Sequence, residues 1–227
     1  MLSFSKDLGK KLIFFAAFVF IAIISYKINF SPIIGAEKQY FTFFQFFAPI
    51  TGAFLGPALG ALAVLFAQLI NYLILGKAFD AIGLLRLVPM VFAAAYFGSA
   101  KKRIYFATIP LACMLVFAIH PIGSKVWFYT LYWLIPLATL RFKKSAFFRG
   151  LGATFTAHAI GSTLWLYTVP MPASAWIMLI PIVAFERIMF AGGITASYYA
   201  FSYALSKLEV AIPSVKGCIQ TKLAVGE

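Results

Sequence analysis

The sequence predicts an all-α, polytopic membrane helix bundle, and three observations carry that prediction. The 227-residue chain is 63% hydrophobic and only 11% charged, against the roughly 25% charged residues of soluble domains. Residues 41–75 form an apolar run with no charge at all, far longer than the ~20 residues one crossing needs. The basic residues cluster between apolar stretches, as cytoplasmic loops do under the positive-inside rule. The formal charge of +13 is therefore read as topology, and no nucleic-acid partner is expected.

About eight spans are expected, near 11–28, 40–55, 58–75, 84–99, 104–120, 126–141, 150–169 and 176–205. The first follows Lys6, Lys10 and Lys11 and lacks a small-residue cleavage pattern, so it reads as a retained helix and not a removed signal. The charge-free run is divided at Gly56-Pro57, because proline removes a backbone donor and stops or kinks a helix. Around that break Gly52, Gly56 and Gly60 recur every fourth residue, a smooth stripe against which another helix can pack closely. The run Phe41, Phe43, Phe44, Phe46 and Phe47 is expected to face lipid. The last span is long enough to tilt or to project beyond the bilayer. Residues 1–227 thus form one integral membrane domain with a cytoplasmic tail at 207–227.

Charge bias orients the chain. With the N-terminus inside, Lys6, Lys10, Lys11, Lys101, Lys102, Arg103, Arg141, Lys143, Lys144, Arg149, Lys207, Lys216 and Lys222 fall inside, and Lys27, Lys38, Lys77, Arg86 and Lys125 fall outside. This thirteen-to-five bias puts both termini in the cytoplasm and supports a break at Gly56-Pro57. A single crossing over 41–75 would move the 101–103 cluster or the N-terminus to the other side.

Several groups are candidates for chemistry. Glu186-Arg187 lies well inside the last span, where ionisable groups are costly unless paired or facing a cavity. A structural ion pair and a ligand contact are both open readings. Thr154, His158, Ser162 and Trp165 share one helical face; His158 reads as an interhelical hydrogen-bonder or as part of a cavity wall. Gln68, Asn71 and Tyr72 form a second polar patch, able to contact a ligand or to tie helices. Arg86 opens the fourth span, where it greets an anion or snorkels to the interface. Trp127, Tyr129, Tyr132, Trp133, Trp165, Tyr167 and Trp176 are read mainly as an interfacial aromatic belt. Metal ligation is not expected, since no second His or Cys lies at ligand spacing from His158. Neither Cys113 nor Cys218 suggests a disulfide.

The order of features resembles the substrate-binding S components of energy-coupling factor (ECF) vitamin transporters, riboflavin-type branch. The residues that carry the resemblance are the basic first helix, the outer loop with Pro32 and Gly35, and the stretch GAFLGPALGALAVLFAQLINYLILG at 52–76. Leu-Arg-Leu-Val-Pro at the fourth span and Leu179-Ile180-Pro181 in the last extend it. The chain departs from that pattern in two ways. It reads as a six-helix S-component-like core, 11–99 and 150–206, plus a two-helix insertion at 104–141. The small-residue Ala-x-x-x-Ala pattern of the first helix, where such proteins meet their coupling subunit, is absent as such.

The resemblance implies a plasma-membrane subunit that captures a vitamin or similar small organic molecule beneath the loop near Ser31 to Tyr40. It also implies a coupling membrane subunit and ATPase subunits as partners, with membrane lipid around the bundle. The residues expected around the substrate are Gln68, Asn71, Arg86, Ser162 and Trp165, with His158 and Glu186 as the floor. No phosphate-binding Gly-Lys-Ser/Thr loop and no recognisable catalytic set is present, so neither enzymatic activity nor a cofactor is expected. Two rival readings stand beside this one. One is an intramembrane enzyme acting on a lipid-linked substrate through His158, Glu186 and Arg187; the other is a non-catalytic scaffold of the cell envelope.

Overall fold

A computed structural model describes residues 2–33, 40–76, 80–99, 103–142 and 144–207. Gly35, Lys38, Lys77, Lys101, Lys102, Lys143 and the tail with Lys216, Cys218 and Lys222 lie outside the described residues. The fold is helical, as expected. Helix α1 (Leu2–Ser25) leads into strands β1 (Asn29–Pro32) and β2 (Tyr40–Thr42), then α2 (Phe44–Phe47), a 3-10 turn (Ala48–Ile50), α3 (Thr51–Leu55) and α4 (Pro57–Ile74). Helices α5 (Ala81–Leu85), α6 (Val88–Gly98), α7 (Arg103–Ala107) and α8 (Ile109–Ile119) follow. A 3-10 stretch (Gly123–Leu134), α9 (Ile135–Ala138), a 3-10 turn (Thr139–Arg141), α10 (Ala146–Thr168) and α11 (Ala173–Lys207) complete the chain. Among the described residues three helical stretches, Pro57–Ile74, Ala81–Gly98 and Ala173–Leu205, are long and apolar enough to cross a membrane.

Helix α10 sits at the centre, packed on α6, α11 and α8. Fifteen of its 23 residues are buried, among them Arg149, Thr154, Thr156, His158, Ser162 and Thr163. A helix wrapped by other helices needs no apolar coat, so polar residues are tolerated there where neighbours satisfy them. Arg149, only 1% exposed, donates to the Phe97 carbonyl at the C-terminal end of α6. Its guanidinium lies 4.5 Å from the Phe97 ring centroid, a cation where the α6 dipole favours one.

The Gly56-Pro57 break is real, but the glycines around it do different jobs. Gly56 adopts φ 86° and ψ 163°, a region accessible essentially to glycine alone, and a Cβ there would meet nothing within 4 Å. The expectation that Gly56 belongs to a packing stripe is therefore corrected: it is a turn residue, and Pro57 opens α4. The turn folds α3 back on α4, so a Cβ on Gly60 would lie 2.5 Å from the Gly52 Cα. Gly52 also faces α6, where a Cβ would collide with the Ala94 carbonyl and approach Gly98 N to 2.9 Å. Three helices meet at Gly52 at backbone distance.

Three further differences have physical causes. The outer loop after α1 pairs into an antiparallel hairpin, with Ser31 opposite Phe41 and Pro32 opposite Tyr40; its backbone groups satisfy one another beside the bundle. The expected helix at 126–141 starts as a 3-10 stretch. It is interrupted at Val126, whose φ of −129° and ψ of 29° are non-helical. The phenylalanine run turns inward: Phe44 and Phe46 are buried, and Phe44 stacks on Tyr26 with centroids 4.1 Å apart. Only Phe43 is largely exposed, at 40%.

Candidate functional site

One cavity, about 280 Å³ in volume, opens between α5–α6, α10 and α11 beneath the hairpin. Thr154, His158, Ser162 and Trp165, the face read from the sequence, form its α10 wall. Trp176, Val183, Glu186, Arg187 and Phe190 come from α11, Arg86 from the end of α5, and Ile33 and Phe41 from the hairpin side. Five of the seven expected site residues, Arg86, His158, Ser162, Trp165 and Glu186, thus meet around a single space.

Gln68 and Asn71 do not line it. Both are buried on α4, and Gln68 Nε2 donates to the Leu87 carbonyl at 2.9 Å. Gln68 ties α4 to the start of α6, and the expectation that it faces the ligand gives way to the helix-tying alternative. The polar patch had no depth coordinate in the sequence: one turn of amides reads the same whether it faces a neighbouring helix or a cavity.

His158 is held on both nitrogens. The Trp133 indole N–H donates to Nδ1 at 3.1 Å. An indole can only donate, so Nδ1 accepts and the proton of the neutral ring sits on Nε2. Nε2 lies 3.0 Å from the Tyr129 hydroxyl and 3.1 Å from Ser162 Oγ. Tyr129 and Trp133 belong to the 104–141 segment and pack with Phe117 and Trp176. That segment therefore supplies a wall of the cavity, with Tyr129 on its surface and Trp133 fixing the His158 ring from behind. The aromatic belt expected from the sequence divides accordingly: Trp127 and Tyr167 are exposed at 55% and 50%, while Tyr129, Trp133 and Trp176 are buried.

Glu186 and Arg187 are 9% and 4% exposed and pair with each other, Nη2 to Oε2 at 3.1 Å. The other carboxylate oxygen accepts from the Ser31 hydroxyl at 2.9 Å, tying β1 of the hairpin to α11. The Arg187 guanidinium also lies 4.3 Å from the Phe190 centroid and 5.0 Å from that of Phe41. Arg86, partly exposed, lies 4.9 Å from the Trp165 ring centroid and lines the cavity.

The donor inventory does not close. Arg86 Nε, Trp165 Nε1, Trp176 Nε1 and Arg187 Nε are buried without a hydrogen-bond partner, and all four residues line the cavity. A buried donor left unpaired costs about 1–3 kcal/mol. Arg149 Nε and Nη1, which belong to a residue that does not line the cavity, are buried without a partner as well, so the cavity is marked by the polar and charged side chains that line it and not by unpaired donors alone. Sequence reasoning placed Trp176 in the aromatic belt and left Arg187 outside the expected contact set. The signal available was the short turn joining α10 to α11, which brings Trp165 and Trp176 to similar depth on antiparallel helices. Among the described residues no group of three or more His, Cys, Asp or Glu is placed to hold a metal ion.

Compared with family models, with curated proteins and with solved structures, the chain matches none.

Proposed function

We propose that this protein is the membrane-embedded, substrate-capturing subunit of an importer for a small organic molecule. The observation that carries the reading is the convergence of Arg86, His158, Ser162, Trp165, Glu186 and Arg187 on one 280 Å³ cavity beneath the hairpin. Ligand pockets combine apolar walls with a few placed polar groups, and here Met90, Leu179, Val183 and Phe190 supply the walls. The chain crosses the plasma membrane eight times with both ends in the cytoplasm, following the thirteen-to-five charge bias. The hairpin and cavity then face outside. Uptake against a gradient requires an energy source that this chain lacks, so a coupling membrane subunit and ATPase subunits complete the importer. This is the arrangement that the resemblance to ECF S components implies.

The rival readings explain less. An intramembrane enzyme asks His158 or Glu186 to act as a free base, yet both His158 nitrogens and both Glu186 carboxylate oxygens already have partners. A scaffold has no use for a cavity with unmet donors. The deciding experiment purifies wild type and Trp165→Ala in mild detergent and identifies small molecules released on denaturation by mass spectrometry. A small organic molecule near one per wild-type chain, depleted in the variant, is expected. Equal content in both, or release of lipid only, counts against capture.

A further inference from the structure

The charges around the cavity do not cancel, and the imbalance points to a ligand class. Among the described residues lining it, the charged side chains are Arg86, Glu186 and Arg187. Glu186 and Arg187 neutralise each other at 3.1 Å, and His158 accepts on Nδ1 and is neutral. Arg86 remains with no acidic partner among the described residues. Its Nε and the Trp165 Nε1 are both buried and unpartnered, on groups stacked 4.9 Å apart. A guanidinium without an acidic partner suits a two-oxygen acceptor such as a carboxylate, which it can bind bidentately. One unbalanced positive charge calls for one negative charge, whereas a phosphate monoester would bring nearly two. The remaining wall is mainly aromatic and apolar, with Phe41, Trp176, Leu179 and Val183, and carries the polar groups of Gln45, Thr154, His158 and Ser162. The volume of about 280 Å³ equals roughly nine waters at ~30 Å³ each, which bounds the ligand to a small molecule.

We infer that the cavity takes a water-soluble organic monocarboxylate with a flat apolar body, its carboxylate held by Arg86 and Trp165. This rests on the capture reading above and names the chemistry of what is captured. The axial separation of Trp165 from His158 on α10 is about 10 Å at ~1.5 Å per residue. The body of such an acid therefore extends from the Arg86 end toward His158, where the Trp176 and Arg187 donors remain for further acceptor atoms.

The test uses the full chain in phosphatidylcholine nanodiscs and isothermal titration with four probes: naphthoate, naphthylmethanol, naphthylmethylamine and palmitate. Naphthoate is expected to bind at least about tenfold more tightly than the alcohol, roughly 1.4 kcal/mol, with the amine weakest. Arg86→Gln should bring naphthoate down by at least about tenfold, to near the alcohol's affinity. Arg86→Lys, which keeps the charge, should retain the preference, and matching melting temperatures establish that both variants are folded. An alcohol as tightly bound as naphthoate, or a preference that survives Arg86→Gln, overturns the monocarboxylate while leaving capture standing. Palmitate binding above naphthoate overturns it too and assigns the carboxylate to lipid. Binding of no probe by the folded wild type overturns the monocarboxylate, and the co-purified small molecule then decides the capture reading by itself.

Discussion

Gly52 and Gly56 stand four residues apart, yet substitutions at them should respond to side-chain size in opposite ways. At Gly52 a methyl group would strike the Ala94 carbonyl oxygen and come within 2.9 Å of Gly98 N. Both obstacles are backbone, so α3 and α6 must separate to admit it. Overpacking of this kind costs about 1–3 kcal/mol, offset by the ~1 kcal/mol that alanine gains over glycine inside a helix. Gly52→Ala should therefore cost about 0–2 kcal/mol, and Gly52→Leu, with three more carbons to place between two backbones, clearly more. At Gly56 a Cβ meets nothing within 4 Å, but φ is +86°. The penalty there is conformational, about 1–3 kcal/mol, and is set once any Cβ is present. Gly56→Ala and Gly56→Leu should thus lower stability by nearly the same amount. Melting temperatures in one mild detergent, measured for Ala, Val and Leu at both positions, give two slopes against side-chain volume. A steep slope at Gly56, or a flat one at Gly52, would refute the assignment of Gly56 to the turn and Gly52 to the three-helix contact.

Gln68→Leu removes the bond to the Leu87 carbonyl and should cost about 0.5–1.5 kcal/mol with no change in bound small molecule; a loss of the small molecule at unchanged stability would return Gln68 to the site. Trp133→Phe leaves His158 Nδ1 without its donor and should cost about 1–3 kcal/mol, read as a lower melting temperature; an unchanged one would mean the 104–141 segment does not anchor His158. Phe44→Ala should be strongly destabilising, about 3–5 kcal/mol for a buried phenylalanine, whereas Phe43→Ala, on the exposed side, should be nearly silent by the same assay. For topology, single cysteines at Lys144 and Ser174, both exposed, in a background lacking Cys113 and Cys218, should be labelled from opposite sides of the membrane. Labelling from one side would refute the proposed orientation.

What was legible in the sequence was what local periodicity encodes. The face Thr154, His158, Ser162 and Trp165 needed only helical spacing, and it lines the cavity intact. The Gly56-Pro57 break needed only the chemistry of proline and glycine. What stayed hidden depends on which neighbour a face meets. Gln68 and His158 are both buried polar residues on helices, but one ties two helices and the other lines a space, and no local pattern separates them. Phe44 and Phe46 looked like lipid contacts because hydrophobicity does not distinguish lipid from core; Tyr26 and Phe190 in fact cover them. The 3-10 stretch was missed because Val126, Tyr129, Thr130 and Trp133, all buried, recur at α-helical spacing.

Glu186-Arg187 was open to a structural and a functional reading, and the geometry lets one pair serve both. Neighbouring helical residues point about 100° apart, so their side chains must bend toward each other to meet at 3.1 Å. That bend leaves Glu186 Oε1 toward the hairpin, where Ser31 donates to it, and leaves Arg187 Nε buried without a partner in a cavity-lining residue. The pair is thus compensated internally and bonded to the hairpin, with one donor still unmet. In the proposed capture a ligand acceptor takes that Nε while Nη2 stays on Glu186 and Ser31 stays on Oε1. Occupation of the cavity then satisfies Arg187 without releasing the hairpin. Removing the carboxylate would have the reverse effect: Arg187 would be an uncompensated buried charge, a loss of about 3–5 kcal/mol, and Ser31 would lose its acceptor. Ser31→Ala separates the two roles, since it cuts the tie and leaves the ion pair whole. If the tie holds the hairpin over the cavity, this variant should release bound small molecule faster, at a stability cost of about 1–3 kcal/mol for the acceptor left without its donor. Unchanged release would leave the pair as a helix-internal charge compensation and nothing more.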